Sequence, residues 1–195
     1  MESGFRSPLA ADQVAEDGRI NQYALVAYID GALGEFLFRL RQEIVPGCNL
    51  RSHISILPPR QLQHPEAVQA FLASQCRERS AFDVSLEEIQ VFQTTQVIFI
   101  DIGGGNANLH DMHKSLNAGV LAYKEPYPYH PHITLAQQIS DAEHPGVLQL
   151  CHERWKEYTG PRSFPVETLT FVQNTSNCGW LDLAETRLAM ASIRR

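Results

Sequence analysis

The sequence predicts a globular fold that mixes helices with strands and is built from two similar halves. The chain has 195 residues, of which 44% are hydrophobic and 19% are charged, a balance typical of globular proteins. Short apolar runs that suit buried strands alternate with segments of helical periodicity. The order strand, helix, strand, helix, strand occurs twice along the chain, which indicates an internal duplication.

The first half of the chain contains five segments with the pattern of regular structure. They are a strand at residues 23–30, a helix at 31–44, a strand at 52–57, a helix from 65, and a strand at 82–92. Regular structure is therefore expected to begin near Gln22. We expect Pro58 and Pro59 to stop the second strand. Pro65 suits the first turn of the second helix.

The second half repeats this order and adds a final strand. Its segments are a strand at residues 96–102, a helix carrying the apolar residues of 109–120, a strand at 132–136, a helix up to residue 158, and strands at 167–172 and 180–188. Ser140 and Glu143 fit a capping box for the last helix. Residues 123–129 form a loop rich in proline and tyrosine.

Charge, cysteine usage and the N-terminal sequence narrow the function class. A net charge of −6 disfavours binding of long nucleic acid, including duplexes, through a general positive field. No apolar run is long enough to span a bilayer. The four cysteines form no C-x2-C pair. Residues 1–18 lack the apolar core of a secretory signal, so we expect a cytoplasmic protein whose cysteines are free thiols. The same segment has few large apolar residues, so we expect a flexible tail at residues 1–20, followed by one domain at 21–195.

The equivalent strand of each half carries the same four-residue pattern. Residues 53–56 (HISI) match residues 132–135 (HITL) as histidine, aliphatic, hydroxyl, aliphatic. Side chains alternate between the faces of a strand, so each histidine shares a face with its hydroxyl residue, about 6–7 Å away between Cα atoms. Both matches are expected by chance in only about one chain of this composition in a thousand.

Two imidazoles and two hydroxyls are the side chains that a phosphodiesterase needs. Neutral imidazole takes a proton near pH 7 and imidazolium gives one, so His53 and His132 can serve as base and acid in one displacement. The hydroxyls of Ser55 and Thr134 can donate hydrogen bonds to phosphate oxygens. This chemistry requires neither a metal ion nor another cofactor. The alternative is that both are half-buried structural histidines capped by neighbouring hydroxyls.

The twin motifs, about eighty residues apart, resemble the paired H-x-[ST]-h signature of the 2H phosphoesterase superfamily. Their contexts, HISILPPR and YHPHITLA, resemble its bacterial branch of 2′-5′ RNA ligase-like proteins, also called RNA 2′,3′-cyclic phosphodiesterases. The resemblance covers residues 22–188. It implies an α+β fold of two pseudo-symmetric lobes, each an antiparallel sheet with helices on its outer face, around an active-site cleft between the sheets. Residues 21–195 would then form a single bilobal domain.

The resemblance also implies roles for the motif residues. His53 and His132 would be the acid and the base, and Ser55 and Thr134 would bind phosphate. The expected substrate is a 2′,3′-cyclic phosphate on an RNA terminus or a nucleotide, and some members join RNA ends in the reverse direction. Which histidine is the base stays open, because pseudo-symmetry makes the two roles interchangeable.

Four residues near the motifs are further substrate-binding candidates. Tyr127 and Tyr129 offer rings on which a base can stack, unless they pack within their proline-rich loop. Arg60 follows the first motif and is placed to reach a phosphate. His130 would share a face with His132, but two ligands at positions i and i+2 do not make a metal site, so no metal is expected.

Three functions fit these residues. The first is a metal-independent cyclic phosphodiesterase acting on RNA ends or nucleotides; the second is a hydrolase of another cyclic nucleotide, such as an ADP-ribose cyclic phosphate. The third is a non-catalytic module that binds RNA ends or nucleotides, which would not need two titratable groups. The protein is expected to be a monomer. Two imidazoles with an ordinary pKa near 6.5 predict a bell-shaped rate profile centred between about pH 6 and 8.

Overall fold

Two four-stranded antiparallel sheets form the framework of the protein, and helices cover them. The structure is a computed structural model and describes residues 18–176 and 179–190. The strands are β1 (Arg19–Tyr28), β2 (His53–Arg60), β3 (Phe82–Val91), β4 (Ile98–Ile102), β5 (His132–Ala136), β6 (Ser163–Val166), β7 (Thr168–Thr175) and β8 (Trp180–Arg187). The helices are α1 (Gly31–Ile44), α2 (Val68–Cys76), α3 (Asn106–Leu116) and α4 (His144–Glu157), with 3-10 turns at Pro65–Ala67 and Gly119–Leu121. This arrangement confirms the α+β fold of two lobes.

Each sheet draws strands from both halves of the chain. The first sheet has the order β2-β1-β7-β8 and the second has the order β5-β4-β3-β6. In the first sheet, β1 and β2 of the first half pair with each other, and β1 also pairs with β7, which follows α4 in the second half. In the second sheet, β4 and β5 pair with each other, and β4 also pairs with β3, which follows α2 in the first half. Neither sheet is therefore made from one continuous half of the chain.

The hydrophobic core lies between each sheet and its helices and leaves the motif side chains on the other face. Ile54 and Ile56 of β2 are fully buried, whereas the histidine and the serine beside them are half-buried. The same alternation holds in β5, where Ile133 and Leu135 are each 1% exposed. On α1, the buried Leu37 belongs to the face that packs into this core.

Two strand boundaries differ from the sequence-based expectation. β1 begins at Arg19, inside the expected tail, because Arg19 pairs with Thr175 of β7; residues 1–17 lie outside the described residues. β2 does not stop at Pro58 but runs on to Arg60. β2 is the outer strand of its sheet, and its pairing with β1 is irregular beyond Leu57. The absence of N–H groups at the two prolines therefore removes few hydrogen bonds from the sheet.

The remaining differences concern short elements. The expected strand at 167–172 is preceded by the unpredicted β6, a four-residue strand that contains Pro165 and pairs with β3. α3 ends at Leu116, so Val120 belongs to a 3-10 turn. The Glu143 N–H donates to the Ser140 hydroxyl as in the expected capping box, but the return contact runs from that hydroxyl to the Glu143 carboxylate. α4 begins only at His144, with Glu143 as its N-cap, so Ser140 lies before the helix and does not cap it.

Two further expectations concern the cysteines and the membrane. Cys48, Cys76 and Cys151 are free thiols, and Cys178 lies outside the described residues. Among the helices of residues 18–176 and 179–190, none combines the length and apolarity that a membrane crossing requires.

Candidate functional site

The twin motifs meet because the outer strands of the two sheets lie side by side. β2 is the outer strand of the first sheet, β5 is that of the second, and the two are in contact. Ser55, His132 and Thr134 line a cleft of about 550 Å³ between them. His53 lies two residues before Ser55 on the same face of β2, and the charge of His132 influences its pKa. The four motif side chains are thus brought to one place.

The same hydrogen bond orients both histidines. Nδ1 of His53 lies 2.7 Å from the carbonyl oxygen of Arg51, and Nδ1 of His132 lies 2.7 Å from that of His130. A carbonyl oxygen only accepts hydrogen bonds, so Nδ1 carries the proton in each neutral ring. Nε2 is then the nitrogen of each imidazole that is left to exchange a proton with a bound molecule.

The surroundings of His53 favour its neutral form. Its ring lies against the indole of Trp180, with 4.5 Å between the ring centroids. Burial lowers the pKa of His53 to about 4, and the charges of Arg41 and His132 act in the same direction. The hydrogen bond to the Arg51 carbonyl opposes this shift only in part.

His132 is likewise half-buried, and a carboxylate lies close to it. The rings of Phe92 and Phe99 meet His132 edge to face, at 5.0 and 5.3 Å between centroids. Burial lowers the pKa of His132, and the charge of His130 adds to that effect. The hydrogen bond to the His130 carbonyl and the negative charge of Asp101 raise it.

The two hydroxyls of the motifs are available to a ligand. Ser55 and Thr134 are half-buried and both line the cleft. Within the part of the chain that the structure describes, neither hydroxyl makes a hydrogen bond. Each can therefore donate to a phosphate oxygen without first breaking a bond in the protein.

The two tyrosine candidates differ in what their rings contact. Tyr127 lines the cleft and is 59% exposed, so its ring is open to a base. Tyr129 also lines the cleft, but its hydroxyl donates to the backbone carbonyl of Ser55 at 2.9 Å. One face of the Tyr129 ring is stacked on His113, at 3.9 Å with an angle of 5° between the planes. Tyr129 therefore links the loop and α3 to the first motif strand.

Arg60 does not reach the cleft with its charge. The residue is 2% exposed, and its guanidinium donates to Asn117, to Glu125 and to the carbonyl oxygens of Pro58 and Leu121. All of these partners belong to the protein, so the expected phosphate contact gives way to a structural role. The sequence shows only that Arg60 is near the motif. Whether its guanidinium binds a ligand or acceptors of the protein depends on its burial, because a buried charge must be paired inside the protein.

His130 lies at the cleft, beside the second motif. It lines the cavity, and its Nε2 lies 3.0 Å from the Asp101 carboxylate. Among the described residues, no group of three or more His, Cys, Asp or Glu side chains is arranged to hold a metal ion.

Sequence reasoning missed five residues that surround the histidines. They are separated from the motifs along the chain, and the pairing register that brings them close is not readable from composition. They are Phe92, Phe99, Asp101, Trp180 and Arg41. One signal was available for Asp101. It follows the apolar run of β4, the strand that precedes the second motif, and a carboxylate in such an apolar strand is unusual enough to suggest a function.

Comparisons with known proteins agree on one family. The sequence profile of the 2′-5′ RNA ligase superfamily matches residues 39–177, which is more than half of the chain. A Bacillus licheniformis protein that is provisionally named as a phosphoesterase is 24% identical over 130 residues, covering 65% of this chain and 77% of its own. The apo structure of E. coli LigT superposes with a TM-score of 0.61 at 16% identity, covering 87% of this chain and 98% of LigT. LigT in complex with 3′-AMP superposes with a TM-score of 0.60 at 16% identity, covering 90% of this chain and all of that one.

Proposed function

The chain belongs to the 2′-5′ RNA ligase superfamily, and from that premise we propose that it is a metal-independent phosphodiesterase. Its proposed substrates are 2′,3′-cyclic phosphates on RNA ends or on nucleotides. The reaction opens the ring to a phosphomonoester by two-histidine acid/base catalysis. The same site would support 2′-5′ ligation as the reverse reaction.

One observation carries the proposal more than any other. Each lobe contributes one imidazole whose Nδ1 is tied to a backbone carbonyl at 2.7 Å, so that Nε2 is free. Two such nitrogens from opposite sheets suit the two proton transfers of a phosphoryl displacement. A protein that only binds nucleotides has no need for two imidazoles prepared in the same way.

The chemistry assigned to the four motif residues is as follows. One imidazole takes a proton from water while the water oxygen forms a bond to phosphorus. The bond from phosphorus to one ribose oxygen breaks, its electron pair goes to that oxygen, and the second imidazolium supplies the proton. The hydroxyls of Ser55 and Thr134 donate to the non-bridging oxygens, on which negative charge develops. The two histidines end with exchanged protonation states and are reset through solvent.

Relatives add support at a coarser level. The solved complexes of E. coli LigT contain 3′-AMP, ATP and NADP+, so at least one protein of this fold accepts nucleotides. Tyr127 offers this chain an open ring beside the cleft on which a base can stack. We extend that use to this protein as part of the proposal.

The test is hydrolysis in the presence of a chelator, on a panel of 2′,3′-cyclic nucleotides, an ADP-ribose cyclic phosphate, and short RNAs that end in a cyclic phosphate. We expect ring opening that EDTA does not reduce. His53→Ala and His132→Ala should each lower turnover by about 100-fold or more, and Ser55→Ala or Thr134→Ala by less. His152→Ala, an exposed histidine on α4, is the matched control and should keep full activity.

Two results would contradict the proposal. Binding of these nucleotides without turnover would favour the non-catalytic module. Loss of activity with EDTA, together with a rate that rises with pH to a plateau, would favour a metal-bound hydroxide instead of an imidazole base.

A further inference from the structure

Arg41 is a buried cation that nothing in the described part of the protein neutralises. It lies in the last turn of α1 and is only 8% exposed. Its guanidinium makes no hydrogen bond or ion pair with any residue that the structure describes. Burial lowers the pKa of Arg41, and the neighbour that opposes this shift is the Cys48 thiol, which carries no permanent charge. A buried charge without a partner destabilises a fold, so the position of this arginine calls for an explanation.

The guanidinium nitrogens of Arg41 can still be reached from solvent. Among the buried and half-buried residues that the structure describes, no side-chain nitrogen or oxygen atom is both shielded from solvent and without a hydrogen-bond partner. Because the nitrogens of Arg41 have no partner, they must touch solvent, although the residue as a whole is buried. A buried stem with an accessible charged end suits a residue that binds an anion from solution.

The packing of α1 brings Arg41 close to the paired motifs. The carbonyl oxygen of Gly34, about two turns before Arg41, accepts a hydrogen bond of 2.9 Å from Ser52, the residue before His53. α1 also contacts β5, the motif strand of the other sheet. The charge of Arg41 is near enough to His53 to act on its protonation. Arg41 therefore lies beside the place where the two motif strands meet.

The lining of the cleft offers a phosphate no permanent positive charge. None of the described residues that line the cavity of about 550 Å³ is a lysine or an arginine, and Glu125 brings a carboxylate to it. The two arginines nearest to the first motif in sequence are already used. Arg60 is paired with Glu125, and Arg51 contacts both Asp30 and Asp182. Arg41 is therefore the cation near the motifs that remains available to an anion.

We infer that Arg41 is a phosphate-binding residue, whose guanidinium donates to a phosphate group held beside His53. A guanidinium is planar and presents paired N–H donors that match two oxygens of a phosphate. The bound anion neutralises the charge that the fold leaves without a partner, and Arg41 supplies the permanent positive charge that the cleft lining lacks. That this phosphate belongs to a 2′,3′-cyclic substrate or to its phosphomonoester product rests on the proposed function.

The test measures binding, so that it does not depend on turnover. The probes are 3′-AMP and inorganic phosphate, each titrated into the full chain. Arg41→Met keeps much of the side-chain volume and removes the charge. It should weaken the binding of both probes by about 10- to 100-fold, the size of a hydrogen bond to a charged group, because phosphate is the part that they share. Arg41→Lys keeps the charge without the planar fork and should recover part of the lost affinity.

Denaturant unfolding separates an anion site from a structural cation. An unpaired buried charge destabilises the free protein, so Arg41→Met without ligand should unfold at the same denaturant concentration as the wild type or at a higher one. Added 3′-AMP should raise the midpoint of the wild type more than that of Arg41→Met. Arg39→Met is the matched control on the same helix. Its side chain is 77% exposed and pairs with Glu35, so its loss should alter neither binding nor unfolding.

Three outcomes would overturn the inference. A lower unfolding midpoint of Arg41→Met with unchanged affinity for both probes would make Arg41 a structural residue. A shifted pH profile of kcat/KM with unchanged affinity would limit Arg41 to an electrostatic effect on His53. Wild-type protein that binds neither probe would remove the site. The proposed function fails separately: if Arg41→Met loses phosphate affinity but the wild type hydrolyses no cyclic phosphate, the anion site stands and the proposed activity falls.

Discussion

At each motif histidine, a backbone carbonyl binds Nδ1 and leaves Nε2 as the nitrogen that can exchange a proton with a ligand. Nδ1 of His53 and of His132 is used inside the protein, at the same distance of 2.7 Å in both lobes. The rings are also held by aromatic neighbours, Trp180 in one lobe and Phe92 in the other. The protein thus fixes the tautomer and the orientation of both rings before a substrate arrives.

Burial of these rings predicts a pH profile that is more acidic than ordinary histidines would give. Desolvation lowers the pKa of His53 to about 4 and also lowers the pKa of His132. Lower pKa values move both limbs of the bell downward, since each ring loses its proton at a lower pH. We expect kcat/KM to be greatest below about pH 6, which is more acidic than the range of 6 to 8 that unperturbed imidazoles suggest. Its limbs belong to the coupled pair and not to one ring.

The profile of kcat should lie at higher pH than that of kcat/KM. A bound phosphodiester is an anion and stabilises the protonated form of either imidazole, which raises the pKa of both in the complex. Both profiles come from initial rates at several substrate concentrations across about pH 3 to 9, a range that brackets these pKa values. A kcat/KM maximum above pH 7 would contradict the lowered pKa values.

At the scale of single elements, the close approach of α1 to the end of β1 shapes the first motif. A Cβ atom added to Gly34 would lie 1.9 Å from the carbonyl oxygen of Ile29. The Gly34 carbonyl also accepts a hydrogen bond of 2.9 Å from Ser52, the residue before His53. Glycine at position 34 therefore lets α1 pack directly beside the start of β2.

We expect Gly34→Ala to lower the free energy of unfolding by about 1–3 kcal/mol or more, because backbone must move to admit the methyl group. Gly146→Ala is the matched control, since that helical glycine of α4 has open space around it. It should raise the free energy of unfolding by about 0.5–1 kcal/mol through helix propensity. Denaturant unfolding of both variants measures the difference, and equal stability of the two would contradict the packing argument.

Local sequence patterns predicted most elements, because they follow from periodicity that each segment carries by itself. α1 and β5 have the expected bounds, and the alternation in HITL put His132 and Thr134 on one face. The exchange of β3 and β7 between the halves was not predicted, because strand pairing depends on contacts between residues distant in sequence. The same limit hid Asp101 as the partner that faces His132.

The part of the candidate site that the internal duplication repeats could be predicted from the sequence. Two copies of one motif in equivalent strands indicated that His53 and His132 act together. Arg60 shows where such reasoning ends, since its place beside the first motif suggested a phosphate contact. The structure instead surrounds its guanidinium with an amide, a carboxylate and two carbonyl oxygens. Only packing distinguishes those two uses of an arginine.

For the whole molecule, Arg60 is a connection between the two lobes. It ends β2 of the first sheet, and its partners Asn117 and Glu125 follow α3, which precedes β5 of the second sheet. Glu125 also accepts a contact of 3.0 Å from His113, on which the Tyr129 ring is stacked. The buried ion pair thus joins β2 to the loop that lines the cleft.

Removal of Arg60 should lower the stability of the fold strongly, because it leaves the largely buried Glu125 carboxylate without its cation. The side chains of Arg60 and Glu125 are 1% and 12% exposed, and 2.6 Å separates the paired atoms. Removal of one partner of a buried pair costs about 3–5 kcal/mol, so Arg60→Ala should lower the free energy of unfolding by that amount. Arg154→Ala breaks a pair of similar length with Glu43, at 2.7 Å, whose side chains are 37% and 41% exposed. That control should cost less than about 1 kcal/mol.

Activity separates the role of Arg60 in stability from a direct contact with substrate. The N–H groups of Arg60 donate to residues of the protein, so Arg60→Ala should raise KM by displacing the loop that lines the cleft. The kcat of the protein that remains folded should stay within about 10-fold of the original. That loss is smaller than the one expected on removing a catalytic acid or base. Unfolding measured by denaturant, together with kinetics well below the melting temperature, gives both quantities. A fall in kcat of about 100-fold without loss of stability would show instead that the guanidinium reaches the phosphate.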